Sequence, residues 1–123
     1  MELVVEPKSE RFEPSDPRWR DQVVALFRDL RDEDVDARTR SAPVAGTKGA
    51  TTEIVLALGS SGALTAVVTM FQAWLARDRT RTLEVAWEAG DRRRSMSIHA
   101  EDVDADVFDE LARAVASDLR DAP

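Results

Sequence analysis

Between Ile54 and Ala76 the chain carries no charged side chain, although 33% of its residues are charged overall. Any fold must bury that run, and three arrangements can do so. A transmembrane helix needs about 20 apolar residues, and the run is long enough. Gly59, Ser60, Ser61, Gly62, Thr65, Thr69 and Gln72 lower its hydropathy, however. Spanning would also split the chain into pieces of roughly 50 residues or fewer, too small for much of a core. A second arrangement is a buried strand over Glu53–Leu58, a glycine loop over Gly59–Gly62 and a helix from Ala63. It resembles the start of a phosphate-binding unit, in which loop amides and a helix N-terminus hold an anion or nucleotide. The tetrapeptide is neither G-x-G-x-x-G nor a P-loop, and no lysine follows it.

The third arrangement, adopted as the expectation, is one helix from about Thr51 to Arg77. Gly59, Gly62, Ala66, Thr69 and Ala73 recur at intervals of 3, 4, 3 and 4, a heptad rhythm that lines one stripe. Leu58, Leu64, Val68, Phe71, Trp74 and Leu75 cover much of the rest. A stripe of small residues lets a helix or sheet approach closely, so these five are the expected interface. Each mid-helix glycine costs about 1 kcal/mol relative to alanine, which close packing should offset. A helix apolar nearly all round must be covered on more than one side, by its own domain or by another chain.

The flanking segments read more directly. Glu2–Glu6 is a short strand closed by Pro7. Asp16-Pro17 starts a helix, the aspartate as cap and the proline in the first turn. Trp19, Val23, Leu26, Phe27 and Leu30 then fall on one face. Val35–Ala42 alternates as a second strand, with Val35, Ala37 and Thr39 inward, and Pro43–Ala50 is a loop. Leu83, Val85 and Trp87, then Met96 and Ile98, mark the arms of a hairpin turning at Ala89-Gly90-Asp91. Asp104 caps a last helix with Phe108, Leu111, Ala112, Val115 and Leu119 on its apolar stripe. The expected fold is therefore α+β, one domain over residues 1–123. Its order is β-α-β-α-β-β-α, a small four-stranded sheet with three helices.

Composition excludes several functions. The chain has no cysteine, hence no disulfide, thiolate zinc site or cysteine nucleophile. Its formal net charge of −7 opposes binding to nucleic acid or to anionic lipid. Fifteen of its 17 basic residues are arginine, a usage that accompanies GC-rich coding DNA. The N-terminal Met1-Glu2-Leu3-Val4-Val5-Glu6 has no signal-peptide pattern, so a cytoplasmic location is expected.

No constellation makes a convincing catalytic or metal site, and no cofactor is expected. His99 is the one histidine. Ser95 and Ser97 share its strand face, and Glu101 and Asp102 follow it, yet a strand-end histidine explains the pattern as well. Asp102, Asp104 and Asp106 have calcium-loop spacing, but Val107 stands at the glycine position and Arg113 at that of the bidentate glutamate. Helix capping is the simpler role. Arg92-Arg93-Arg94 reads as a solvated strand end, and Arg77, Arg79 and Arg81 as cations suited to a helix C-terminus. Trp74 and Trp87 are expected in the core, and Trp19 is a candidate interface anchor.

Leu56-Ala57-Leu58-Gly59-Ser60-Ser61-Gly62-Ala63-Leu64-Thr65, followed by Ala73-Trp74-Leu75-Ala76-Arg77, resembles the central signature of the effector-associated constant component family. The strand Thr82–Trp87, the Gly90-Asp91-Arg92 turn and the closing helix continue the likeness. Ser61 departs from the family's Gly-Ser-Gly-Gly. The resemblance implies a small part of a bacterial, often actinobacterial, conflict system serving immunity such as antiviral defence. It also implies a variable effector encoded nearby, a peptidase or an NTPase switch protein. In such a system the constant part acts as an adaptor or regulator without a catalytic motif, docking its effector or clustering it as a homo-oligomer.

Overall fold

The computed structural model describes residues 1–43, 50–102 and 105–121, with only the backbone described at 102, 105 and 121. Eight elements follow in the order β1 (Glu2–Ser9), α1 (Pro17–Asp32), β2 (Asp36–Pro43), β3 (Ala50–Ala57), α2 (Ser61–Ala76), β4 (Arg81–Ala89), β5 (Arg92–His99) and α3 (Ala105–Asp121). A short 3-10 turn over Ala100–Asp102 precedes α3.

The long central helix expected over residues 51–77 is not formed. Its first quarter is strand β3, because Thr51, Thr52, Ile54 and Val55 are β-branched and favour the pleated surface. Gly59-Ser60 ends the strand. The Ser60 hydroxyl accepts the Ala63 N–H at 3.2 Å, caps α2 and restricts it to 16 residues. The sheet consequently has five strands where four were expected.

The strands are ordered β2-β3-β1-β4-β5, every neighbouring pair antiparallel. The first six elements form two interleaved β-α-β units, each lending a strand to the middle of the other. Pairing places Leu3 between Leu56 and Trp87, and Val5 between Ile54 and Val85; Leu83 lies opposite Ile98. All eight are buried, and they form the floor of the core. β1 runs past Pro7 to Ser9, but its pairing with β3 stops at Val5. A proline is tolerated where one side of the strand is open.

The helices cover one face of the sheet. α1 packs on β2, β3 and α2, while α2 also meets β4 and α3, so α2 is the middle helix. Asp16 caps α1 as expected, accepting the Arg18 N–H at 2.9 Å, and Trp19, Val23, Leu26 and Leu30 are buried. The other sheet face lies open, with several of its charges paired laterally. Lys8 bridges Glu6 and Glu84, Arg38 meets Glu2, and Arg40 meets Glu53. Val35 and Ala37 are buried as expected, but Thr39 is exposed. The expected loop over Pro43–Ala50 and the capping role of Asp104 fall mainly on positions outside the described residues, 44–49 and 104.

Candidate functional site

Helix α2 has an unusual cross-section. Leu64, Val67, Phe71, Trp74 and Leu75 are buried against the sheet. Gly62, Thr65, Thr69, Gln72, Ala73 and Ala76 are exposed, Ala66 is half-buried, and no charged residue lies between Ser61 and Ala76. The threonine hydroxyls turn inward on the helix itself. Thr65 donates to the Ser61 carbonyl at 3.1 Å, and Thr69 to the Thr65 carbonyl at 3.0 Å. With their donors so occupied, the surface they present is more apolar than the sequence suggests.

The expected seam of small residues is thereby placed. Gly59 lies outside the helix, whereas Gly62, Ala66, Thr69 and Ala73 share a stripe that faces away from the sheet. No element of the described chain packs over Gly59 or Gly62. A Cβ added at Gly62 would meet only the Ser60 hydroxyl at 3.8 Å, and one at Gly59 nothing within 4 Å.

Two depressions flank the stripe. Between α2 and α3 runs a groove of about 700 Å³, floored by Leu64, Val68, Phe108, Ala112 and Ala116. Thr65, Thr69 and Gln72 border it on α2, and Asp109, Arg113 and Arg120 on α3. Arg113 and Arg120 are exposed and make no ion pair among the described residues. Between α1 and α2 lies a smaller cleft of about 230 Å³, bordered by Asp29, Asp32, Glu33 and Arg77 over Met70, Ala73 and Trp74. The middle helix thus has a basic flank and an acidic one.

Polar contacts, mostly half-buried, fix this layer. The Trp74 indole N–H donates to the Gln22 carbonyl at 3.3 Å. Arg81, 8% exposed, donates to the Trp74 carbonyl at 2.6 Å and the Gln22 side chain at 2.8 Å, with its guanidinium 4.3 Å from the Trp74 ring. Burial pulls its pKa below the usual arginine value, Asp78 opposing and Arg77 adding to the effect. Its bond to the Trp74 carbonyl places a cation at the C-terminal end of α2, the role expected for the arginines there. On the other side Asp118 of α3 accepts from the Trp87 indole at 2.7 Å and from Arg94 at 2.9 Å.

The remaining sequence candidates are dispersed. His99 is exposed on the open face, with Nδ1 3.0 Å from the Thr82 hydroxyl. Ser95 and Ser97 are exposed on the same strand, and no hydrogen bond joins either to His99. Arg92 and Arg93 are exposed strand-end residues. Among the described residues no group of three potential metal ligands converges. Trp19, expected as a surface anchor, is instead 4% exposed, stacked on Phe12 at 6.5 Å and tilted against Trp74 at 5.7 Å. No helix among the described residues is long and apolar enough to cross a membrane.

Sequence reasoning missed the groove and its two arginines. The signal was available in α3, whose apolar stripe continues through Ala112 and Ala116 with Arg113 and Arg120 seven residues apart beside it.

The description "Effector Associated Constant Component 1" belongs to a family whose model matches residues 15–117, most of the chain. The chain belongs to that family. Members of the Effector Associated Constant Component 1 family are components of effector-associated systems, and the match covers α1 through most of α3, including both flanks of α2. No curated protein sequence matches the chain. Among solved structures, a phage SAM lyase in its apo state is similar with a TM-score of 0.47 and 15% identity, over 84% of this chain and 90% of that one. That likeness is too loose to bear on function.

Proposed function

We propose that this chain is a non-enzymatic adaptor that docks an effector protein, a peptidase or an NTPase switch protein encoded nearby, through the outward face of α2. One observation carries the reading: the middle helix of the layer is uncharged along its whole length, yet its outer stripe is exposed. Elsewhere the surface is heavily charged, so this strip is the one that desolvates most cheaply against a partner. Gly62, Ala66, Thr69 and Ala73 let that partner's backbone come close. Gly59 in the preceding loop lies near enough along the chain to border the same surface.

The test is light scattering on the purified chain, alone and mixed with the effector encoded beside it. A defined complex with the effector is expected. Absence of any complex at micromolar concentrations of both would remove the adaptor reading. A chain that forms only its own oligomer would replace docking with clustering.

An anion or nucleotide at Gly59–Gly62 is the competing reading, favoured by the strand–loop–helix arrangement that β3 and α2 do adopt. The cap weakens it, because the Ser60 hydroxyl already occupies the Ala63 N–H. A ligand there would raise the melting temperature across a nucleotide and phosphate panel. No such rise is expected.

A further inference from the structure

The proposed docking face leaves open what chemistry the effector presents, and the two flanks of α2 bear on that. We infer that the groove between α2 and α3 takes an acidic amphipathic helix of the partner, its apolar side on the groove floor and its carboxylates against Arg113 and Arg120. The inference rests on the adaptor reading and deepens it.

Shape selects a helix. Both walls are helices whose backbone groups are already bonded internally, so the groove offers no strand edge for an extended peptide to pair with. An occupant must satisfy its own N–H and C=O groups before entering an apolar floor, as a helix does. From Ser61 to Gln72 the groove wall spans about 17 Å, three turns of helix. Ala112 and Ala116 on one wall, and the back-bonded Thr65 and Thr69 on the other, keep both sides low.

Charge selects an acidic helix and this flank. Arg113 and Arg120 lie seven residues apart on α3, about 10 Å along the axis. Some other exposed cations, Arg18, Arg38, Arg40 and Arg94, are already held by carboxylates, and others, such as Arg20, Arg28 and Arg93, lie outside this groove. Arg113 and Arg120 have no such partner among the described residues and border the apolar floor. Connectivity makes α2 and α3 antiparallel, so Arg120 lies toward Ser61 and Asp109 toward Gln72. The Asp109 end disfavours a carboxylate and so sets the direction in which the partner helix lies. On the opposite flank Asp29, Asp32 and Glu33 repel the same helix.

The experiment uses the whole chain and a designed peptide of about 15 residues. The peptide is helical, with a leucine stripe and two glutamates seven apart; a second version carries lysines at those two positions. Binding is followed by fluorescence anisotropy, with wild type and with the Arg113→Glu/Arg120→Glu variant. Melting of the variant is checked alongside and is expected to fall only slightly, since both side chains are exposed and make no ion pair among the described residues, although Arg120 lies in the last turn of α3. Wild type is expected to prefer the glutamate peptide by roughly tenfold or more, and the variant to reverse that preference. Equal binding of both peptides, binding of neither, or indifference to the charge reversal would each overturn the inference. The two readings separate when the effector itself is titrated. An effector that binds wild type and the double variant equally leaves the adaptor reading standing and sinks the groove. An effector that does not bind wild type sinks the adaptor reading.

Discussion

Arg81 holds three elements with one side chain. Its guanidinium reaches the end of α2 through the Trp74 carbonyl and α1 through the Gln22 side chain, from the first residue of β4. Burial of the charge costs free energy, which is why its pKa is lowered, and its Nε has no hydrogen-bond partner. Removing it is still worse, since a buried carbonyl and a half-buried amide oxygen then lose their donor. Arg81→Met should destabilise the chain by about 2 kcal/mol in urea unfolding, and Arg81→Lys by a similar amount because an ammonium lacks the fork. Full retention of stability in both would mean the clamp is idle.

Asp78, in the turn between α2 and β4, accepts the Thr80 N–H at 2.9 Å and the Thr80 hydroxyl at 2.7 Å. The backbone bond first, then the hydroxyl, lowers its pKa below the usual carboxylate value. A depressed folded pKa stabilises the chain above the unfolded value near 4, and that contribution fades as pH falls through the folded value. The advantage of wild type over Asp78→Ala should therefore be constant from about pH 6 to 5 and shrink below about pH 4. A difference independent of pH down to 2 would show the bonds do not depend on the charge.

At the scale of elements, α2 decides the account. Gly62 sits in its first turn, where an added Cβ would make only an ordinary contact with the Ser60 hydroxyl, so no packing among the described residues requires a glycine there. Gly62→Ala should raise stability by about 0.5 kcal/mol, and Gly62→Leu should fold normally. Unfolding of Gly62→Leu would mean that part of the chain covers the stripe after all. The same helix shows why the sequence was only partly legible. α1 and the β4–β5 hairpin follow regular periods with charged outer faces, and both were read almost to the residue. β3 gave no alternation because Ile54, Val55 and Leu56 are all buried, Val55 on the otherwise open face beside Val4 and Ala86. α2 gave no clear stripe because its exposed side is uncharged. Two elements without periodicity merge into one apolar run, and a regular spacing of small residues across the join then suggests a continuous helix. The β-branched cluster of Thr51–Val55 and the Gly59-Ser60 stop were the local signs of a boundary. Strand order was beyond reach, since β1 inserts between β3 and β4 by contacts distant in sequence.

At the scale of the whole molecule, the chain has a ferredoxin-like layer extended by β5 and α3. The extension builds the groove, because α3 supplies its second wall and both of its arginines. The sheet edges are poor templates for pairing: β2 carries Arg38, Arg40 and Pro43, and β5 carries Arg92, Arg93 and Arg94. Such edges and the open charged face accord with the docking proposed on the helical layer. The most direct measurement is a calorimetric titration of the neighbouring effector into wild type, a Thr69→Arg/Ala73→Arg variant and a Ser95→Arg control on the open sheet face. All three positions are exposed, so each protein should fold. The α2 variant is expected to weaken binding by roughly 30-fold or more while the control binds as wild type does. Loss of binding in the control, or none in the α2 variant, would contradict that expectation and move the docking surface off α2.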